Sequence, residues 1–480
     1  MAELVGLIPA AGKGVRARPY TSLVPKGMLQ IDGRPNLERI INLMRDDLGI
    51  TRIYMTVGYR SDVIRHYFGD GSSFGVQLHY VENVELDRGL AWSVLLAGRQ
   101  AAAPCCVMLS DECYIGSNHR ELLIFPYDEV IATCTTMEVD DVRLIQRNYA
   151  VYKEGDRILK LVEKPEVVEN NLLGLGTFLL MPTFFERLEE ACGQKDYVEF
   201  VTFLNSLCQK GPGVGCFEMQ GSYVNINDRD SLHLARYLER QRSFHTNSVG
   251  LLLYAEGSEE HLGFTIGRYK KNEWVDVVYV LIPHESMQEK AIETANAIVI
   301  RCPEGLNRYG ERLLYGMDQM QDDILVLAEA DYTFGAHDIS KLLEYLKEAD
   351  IVAGTRTTRQ LIAQGSDMRG VVRLANIFLA KLIELLWWRR EVRISDVACT
   401  FRAMWRDCYR DLRPELTGQG PEVLAEMVIS ALNQRKRLIE IPVNYYNRSK
   451  ALYRTYRNRK TFLAILLMLC RKKVSKTPSF

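Results

Sequence analysis

Short apolar stretches of strand character alternate with amphipathic helical stretches up to about residue 235. The alternation stops at RYLERQRSFHTNS (236–248), which reads as a helix end running into a polar linker, and then starts again. Strands in such a pattern are covered by helices on both faces, the arrangement of a mostly parallel sheet. In the first half, 53–57, 76–80, 106–109 and 129–135 read as strands, and 37–47, 61–67 and 92–101 as helices. Residues 149–153 and 158–162 around Glu154-Gly155-Asp156 read as a hairpin. In the second half, 249–254, 275–282, 297–301 and 324–327 read as strands, with helices at 308–320 and 339–348. Residues 371–480 read as mostly helical and basic. No repeat is detectable between the halves by sequence identity.

At 480 residues the chain is too long for one ordinary core. The expected division is a first domain at 1–235, a linker at 236–248, a second domain at 249–455 and a basic, apolar helix at 456–480. A formal net charge of -1 argues against nucleic acid as a partner. Eleven scattered cysteines form no CxxC pair, which argues against a disulfide scaffold or structural zinc and fits a reducing, cytoplasmic compartment. The N-terminus does not read as a secretory signal, and no apolar run reaches the ~18 to 20 residues of a spanning helix.

The first strand-like run, ending at Ile8, leads into PAAGKGVRARPYTSLVPKGML. Gly12 and Gly14 remove side chains where the chain turns, so backbone N–H groups can approach a phosphate. Arg16, Arg18 and Lys26 add positive charge nearby. Neither common glycine motif is present: Gly14 is followed by Val15 and Arg16, and Ala17 stands where a dinucleotide fingerprint would have its third glycine. The alternative is a tight turn with a solvated basic face. Asp111 follows a short apolar strand, where ligands meet a doubly wound sheet, and its carboxylate suits Mg²⁺. By itself it could equally cap a turn.

Five motifs in order, PAAGKGVRARPYTSLVPKGML, VGYRSDVIRHYFGDG, LSDECY, VEKP and YVNINDRDSL, give residues 1–235 a resemblance to sugar-1-phosphate nucleotidyltransferases. The resemblance implies an NTP and a sugar 1-phosphate as substrates, pyrophosphate as product and Mg²⁺ (or Mn²⁺) as cofactor. It implies nucleotide binding by Ala11, Gly12, Gly14 and Gly89, catalysis by Arg16, Lys26 and Asp111, and sugar-phosphate binding by Glu163 and Lys164. It places the metal on Asp111 and on position 225. That position holds Asn225 rather than an aspartate, which brings Asp228 in as an alternative ligand.

The second half resembles inverting family-2 glycosyltransferases of the polyprenyl-phosphate mannosyl or glucosyl type, through LAEADYTF, ADIVAGTR, ISDVACTFRAM and IEIPVNYYNRSKALY. The resemblance implies a metal held by Glu329 and Asp331, Asp396 facing the acceptor, and Arg402 and Arg448 binding acceptor phosphate. The alternative for Asp396 is a buried Asp–Arg pair that fixes a loop. The run 462–469 is apolar beside a basic cluster, which suits a membrane interface or a dimer-forming helix. Leu374 to Trp388 reads as a helix packed on the second domain. The whole is expected to be an α/β protein: two Rossmann-like nucleotide-binding modules, each a mostly parallel sheet flanked by helices, and a basic helical C-terminal tail. The expected function is bifunctional. Nucleotidyl transfer is followed by transfer of the activated group to an acceptor such as a polyprenyl phosphate or other lipid, with peripheral membrane contact and self-association as further expectations. The alternatives are a second domain that only binds or recruits, or a nucleotide-sensing regulator.

Overall fold

The structure, a computed structural model, describes residues 3–18, 20–126, 129–208, 213–257, 259, 261–363, 366, 368, 370–387, 393–447 and 459–474. It divides into two compact units, Met1–Glu239 and Arg240–Phe480.

The first unit is built on a nine-stranded sheet. In chain order its strands, with one small pair beside it, are β1 (Val5–Pro9), β2 (Arg52–Val57), β3 (Gln77–Glu82), β4 (Cys105–Met108), β5 (Glu112–Ile115), β6 (Ala132–Glu138), β7 (Tyr149–Glu154), β8 (Arg157–Glu163), β9 (Leu172–Leu180), β10 (Val214–Glu218) and β11 (Ser222–Asn225). The sheet order is β3-β2-β1-β4-β9-β6-β10-β8-β7, and β5 pairs with β11 apart from it. β1 runs parallel to both β2 and β4, whereas β9 runs antiparallel to β4 and β6. Val5 to Pro9 and Cys105 to Met108 are buried throughout, as expected of strands covered on both faces. Helix α1 (Gly89–Ala101) packs on this sheet beside α2 (Pro182–Gln194), through Ala91, Val94 and Leu95 on one and Phe184, Phe185 and Leu188 on the other.

The second unit has seven strands: β12 (Val249–Tyr254), β13 (Val277–Ile282), β14 (Ile298–Arg301), β15 (Ile324–Glu329), β16 (Ile351–Thr355), β17 (Arg402–Trp405) and β18 (Leu438–Pro442). Their order is β14-β13-β12-β15-β17-β16-β18. All neighbours are parallel except around β17, which is antiparallel to β15 and β16. With β7 and β8 set aside, the other seven strands of the first sheet and the seven of the second follow one order along the chain, 3-2-1-4-6-5-7, with the sixth reversed. The halves are therefore a repeat of topology without a readable repeat of sequence.

The stretch 236–248, read as a helix end running into a polar linker, carries the end of α3 (Arg229–Ser243) and then a single turn, Phe244–Thr246. The described residues of 371–480 are mostly helical, as expected, and they also supply the short strands β17 and β18. Strands of four and five residues carry too few positions for their period to stand out beside α4 (Val371–Leu386), the helix at Val423–Asn433 and α5 (Arg459–Val474).

The loop entering β17 is fixed by a half-buried carboxyl. Glu440 on β18 accepts hydrogen bonds from the Ser395 and Asp396 amides and the Ser395 hydroxyl. Burial pushes its carboxyl up to about 7 although these donors pull the other way. The folded chain then holds a proton that the unfolded chain releases above its ordinary value of 4.5. Stability should therefore fall as pH rises from about 4.5 to about 7 and level off beyond. Glu440→Gln keeps an acceptor for the amides and offers a donor to the hydroxyl. Urea unfolding across this range should show a shallower decline in the variant than in the wild type.

Candidate active site

A cavity of about 430 Å³ opens at the carboxyl ends of β1 and β4. Its walls include the 9–17 loop, Lys26, Asn83, Gly89, Asp111 and Asn227. Parallel pairing of β1 with β4 brings the loops after both strands to one edge.

Each glycine of the first loop has its own task. A Cβ on Gly12 would meet nothing within 4 Å, so this position is open. Gly14 has φ +57° and would place a Cβ 3.1 Å from that of Lys26, so its absence lets the loop fold onto the lysine. The Gly14 carbonyl accepts a 2.7 Å bond from the Thr21 hydroxyl and another from the Ala17 amide. Arg16 is exposed on the cavity wall. Lys26 begins a single turn, Lys26–Met28, in which Gly27 packs against Leu37 and the Ser110 carbonyl too closely for any side chain.

Lys26 is ion-paired with Asp111 and also donates to Asn227 Oδ1 at 2.7 Å. Asp111 sits in a loop held from several directions. The buried Asn36 amide donates to the carbonyls on either side of it, Ser110 at 3.1 Å and Glu112 at 2.8 Å. The Asp111 carbonyl accepts from the Ile226 amide at 2.8 Å. Next along, the Glu112 carboxylate is buried and accepts from Tyr114, Tyr223 and the Gly176 amide, and burial pushes it up to about 7.

Asn225 lies opposite Glu112 across the β5–β11 ladder. Its amide nitrogen donates to Asn148 Oδ1 at 3.1 Å, and its Oδ1 is buried with no partner among the described residues. Asp228 is engaged elsewhere: its Oδ1 accepts from the Ser231 amide and hydroxyl at the start of α3, which holds it below the usual carboxylate range. The cavity residue of that segment is Asn227. Its signal was the alternation in Tyr-Val-Asn-Ile-Asn, which gives 225 and 227 the same parity.

Glu163 and Lys164 close β8 and are not among the cavity walls. Lys164 has φ +44°, donates its amide to the Asn148 carbonyl at 2.7 Å, and pairs with Glu163 at 2.6 Å. Burial raises the Glu163 carboxyl. Asn148, unremarked in the sequence, thus ties the EKP segment to Asn225. Gly89 lines the cavity at the start of α1, yet its glycine is explained by an aromatic ring: with φ +81°, a Cβ would lie 2.6 Å from Tyr197. The neighbouring Arg88 donates to the Cys192 and Asp196 carbonyls and stacks on Trp92, which secures the segment leading to Tyr197.

In the second unit Glu329 ends β15, where it is buried and accepts from the Thr400 hydroxyl at 2.6 Å. Asp331 accepts from the Thr333 amide and hydroxyl. Asp396 is 2% exposed and pairs with Arg356 through two bonds of 2.7 and 2.9 Å. Arg402 does not face an acceptor. It is 1% exposed, and its guanidinium donates into the core, to the Cys399 and Leu424 carbonyls. An inward position on a central strand outweighs the local sequence. Arg448 lies outside the described residues. No group of three or more His, Cys, Asp or Glu among the described residues is arranged to hold a metal unaided.

A loop with two glycines, a lysine and a carboxylate thus meet at the ligand edge of a doubly wound sheet. The nucleotidyl transferase family model matches residues 5–278, and the chain belongs to that family. It is 28% identical over 230 residues to the UTP–glucose-1-phosphate uridylyltransferase AglF of Haloferax volcanii, a match that covers 47% of this chain and 93% of that protein. It is 42% identical over 195 residues to a UTP–glucose-1-phosphate uridylyltransferase of Synechocystis, which covers 37% of this chain and 48% of that protein. The chain thus spans about half the length of the second relative. Among solved structures, a UDP-glucose pyrophosphorylase in complex with UDP-glucose aligns at 20% identity and a TM-score of 0.44, covering 50% of this chain and 100% of that one.

Removing the carboxylate of Asp396 leaves the Arg356 guanidinium buried and unpaired. Asp396→Ala should cost about 3–5 kcal/mol in denaturant unfolding.

Proposed function

We propose that the first unit transfers a nucleotidyl group from an NTP to a sugar 1-phosphate, releasing pyrophosphate. The observation that carries this reading is Lys26, held between Asp111 and Asn227 directly beneath the Gly12–Arg16 loop. In this reaction a sugar-phosphate oxygen attacks the α-phosphorus, and the bond to the β-phosphate breaks. The protein has to align two anions and offset the charge that develops. The open backbone at Gly12 receives the triphosphate, and the Arg16 fork holds its outer oxygens. Lys26 supplies positive charge at the transferring group, with Asn227 keeping the ammonium aimed at the cavity. Glu163 and Lys164 bind the sugar phosphate.

Magnesium fits this donor set. Asp111 would offer a carboxylate and Asn225 a buried amide oxygen that has no partner among the described residues, and substrate phosphate oxygens would supply further hard oxygen ligands. When bound, the ion neutralises triphosphate charge. Lys26→Ala should lower the rate of pyrophosphate release by about 10² or more. Asn227→Ala should lower it less, with kcat falling more than KM rises. The check is a pyrophosphate-release assay across NTPs and sugar 1-phosphates. Near-native turnover by folded Lys26→Ala would remove the assignment.

A second reading concerns residues 249–455. Glu329 and Asp331 follow the fourth strand of their sheet, the topological place that Asp111 holds in the first. This supports transfer of the activated group to an acceptor of the polyprenyl-phosphate class, with the two carboxylates binding a divalent ion and the nucleotide diphosphate. The protein supplied with its own nucleotide product and polyprenyl phosphate should then move labelled sugar into lipid. Asp331→Asn should abolish that step and leave pyrophosphate release intact. Equal lipid labelling by wild type and variant would refute this site.

A further inference from the structure

Helices α4 and α5 lie side by side, with the Phe378 and Phe462 rings 6.4 Å apart. One side of each helix enters the core of the second unit, through Leu379, Ala380 and Ile383 on α4 and Ile465 and Leu469 on α5. The other side is apolar as well. On α4, Leu374, Phe378 and Leu385 are 62, 56 and 65% exposed, at spacings that form one stripe. On α5, Leu463 and Leu467 are 58 and 54% exposed, one turn apart. Single exposed leucines need no explanation, but large apolar groups on successive turns of two adjacent helices form a patch.

Charge indicates what covers it. The chain as a whole is nearly balanced, yet residues 448–480 contain ten Lys and Arg and no Asp or Glu. Basic residues flank the apolar run of α5 on both sides, and Arg471 is exposed at its C-terminal end. Lys472 is ion-paired with Glu426, but an apolar stripe on a helix flanked in sequence by so large an excess of positive charge matches the boundary between anionic headgroups and acyl chains. Among the described residues no helix is long and apolar enough to cross a membrane, and α5 has 16 residues. We propose that the exposed face of α4 and α5 is a peripheral docking surface for an anionic lipid bilayer, entered by Leu374, Phe378, Leu463 and Leu467. The inference does not depend on the reaction assigned to the first unit.

The test is sedimentation of the full-length protein with vesicles of phosphatidylcholine alone or of phosphatidylcholine and phosphatidylglycerol in equal parts. The protein should pellet with the anionic vesicles, far less with the neutral ones, and less as salt is raised. Leu374→Gln/Leu463→Gln/Leu467→Gln changes only exposed positions. It should reduce partitioning at least about tenfold while unfolding as the wild type does. Protein that stays in the supernatant with anionic vesicles at low salt would overturn the proposal. So would undiminished binding by the triple variant. A dimer that the triple variant dissolves, with no vesicle binding, would instead assign the face to a second copy of the chain.

Discussion

Parallel pairing of the first strand with the fourth organises both units. Parallel strands cannot be joined by a tight turn, so each connection between parallel neighbours must cross a face of the sheet, and helices come to cover both faces. The same pairing delivers the loops after strands one and four to one edge. In the first unit these loops carry Gly12 to Arg16 and Asp111. In the second they carry Glu256 and the Glu329–Asp331 pair, and Glu256 joins Arg312 of the Tyr309–Gln319 helix in an ion pair at 3.5 Å. The chemistry of each edge is set by side chains that the sheet presents but does not choose.

At the first edge, precision comes from polar groups away from the cavity. Asn36 holds the carbonyls on both sides of Asp111, and close packing of Gly27 on Ser110 leaves no slack in the Lys26 turn. Glu112, with its three donors, joins the Asp111 loop to β9 and β11. A lysine and a carboxylate held this way keep their positions when opposite charge is not yet bound, which lowers the reorganisation needed once substrates arrive.

Much of this was legible in the residues. The alternation of strand and helix gave both sheets, since buried parallel strands leave unbroken apolar runs such as VVYVLI. Motif order marked Gly12, Lys26 and Asp111, which the fold gathers around one cavity. Long-range side-chain partners were not legible. Asn36 and Asn148 are ordinary amides in sequence, and their value comes from carbonyls and amides brought close by folding. Arg402 misled for the same reason: a basic residue beside polar ones suggests a ligand contact, but its strand position turns it inward to backbone carbonyls. The common strand order of the halves was hidden because topology depends on which strands pair, whereas identity depends on side chains that have diverged.

That hidden repeat bears on how such a chain is made. Two sheets that share one strand order, on one polypeptide, offer an emerging strand two like places, and tandem domains are prone to exchange segments while they assemble. Divergence between the copies removes the ambiguity. The core of the first unit packs phenylalanines on its helices, Phe184, Phe185 and Phe200, where that of the second packs Leu313, Met317 and Leu424. A strand from one copy would meet the wrong knobs and hollows in the other. Synthesis from the N-terminus lets the first unit close before the second is complete, so dissimilar interiors and vectorial order together keep two like folds from becoming one tangled product.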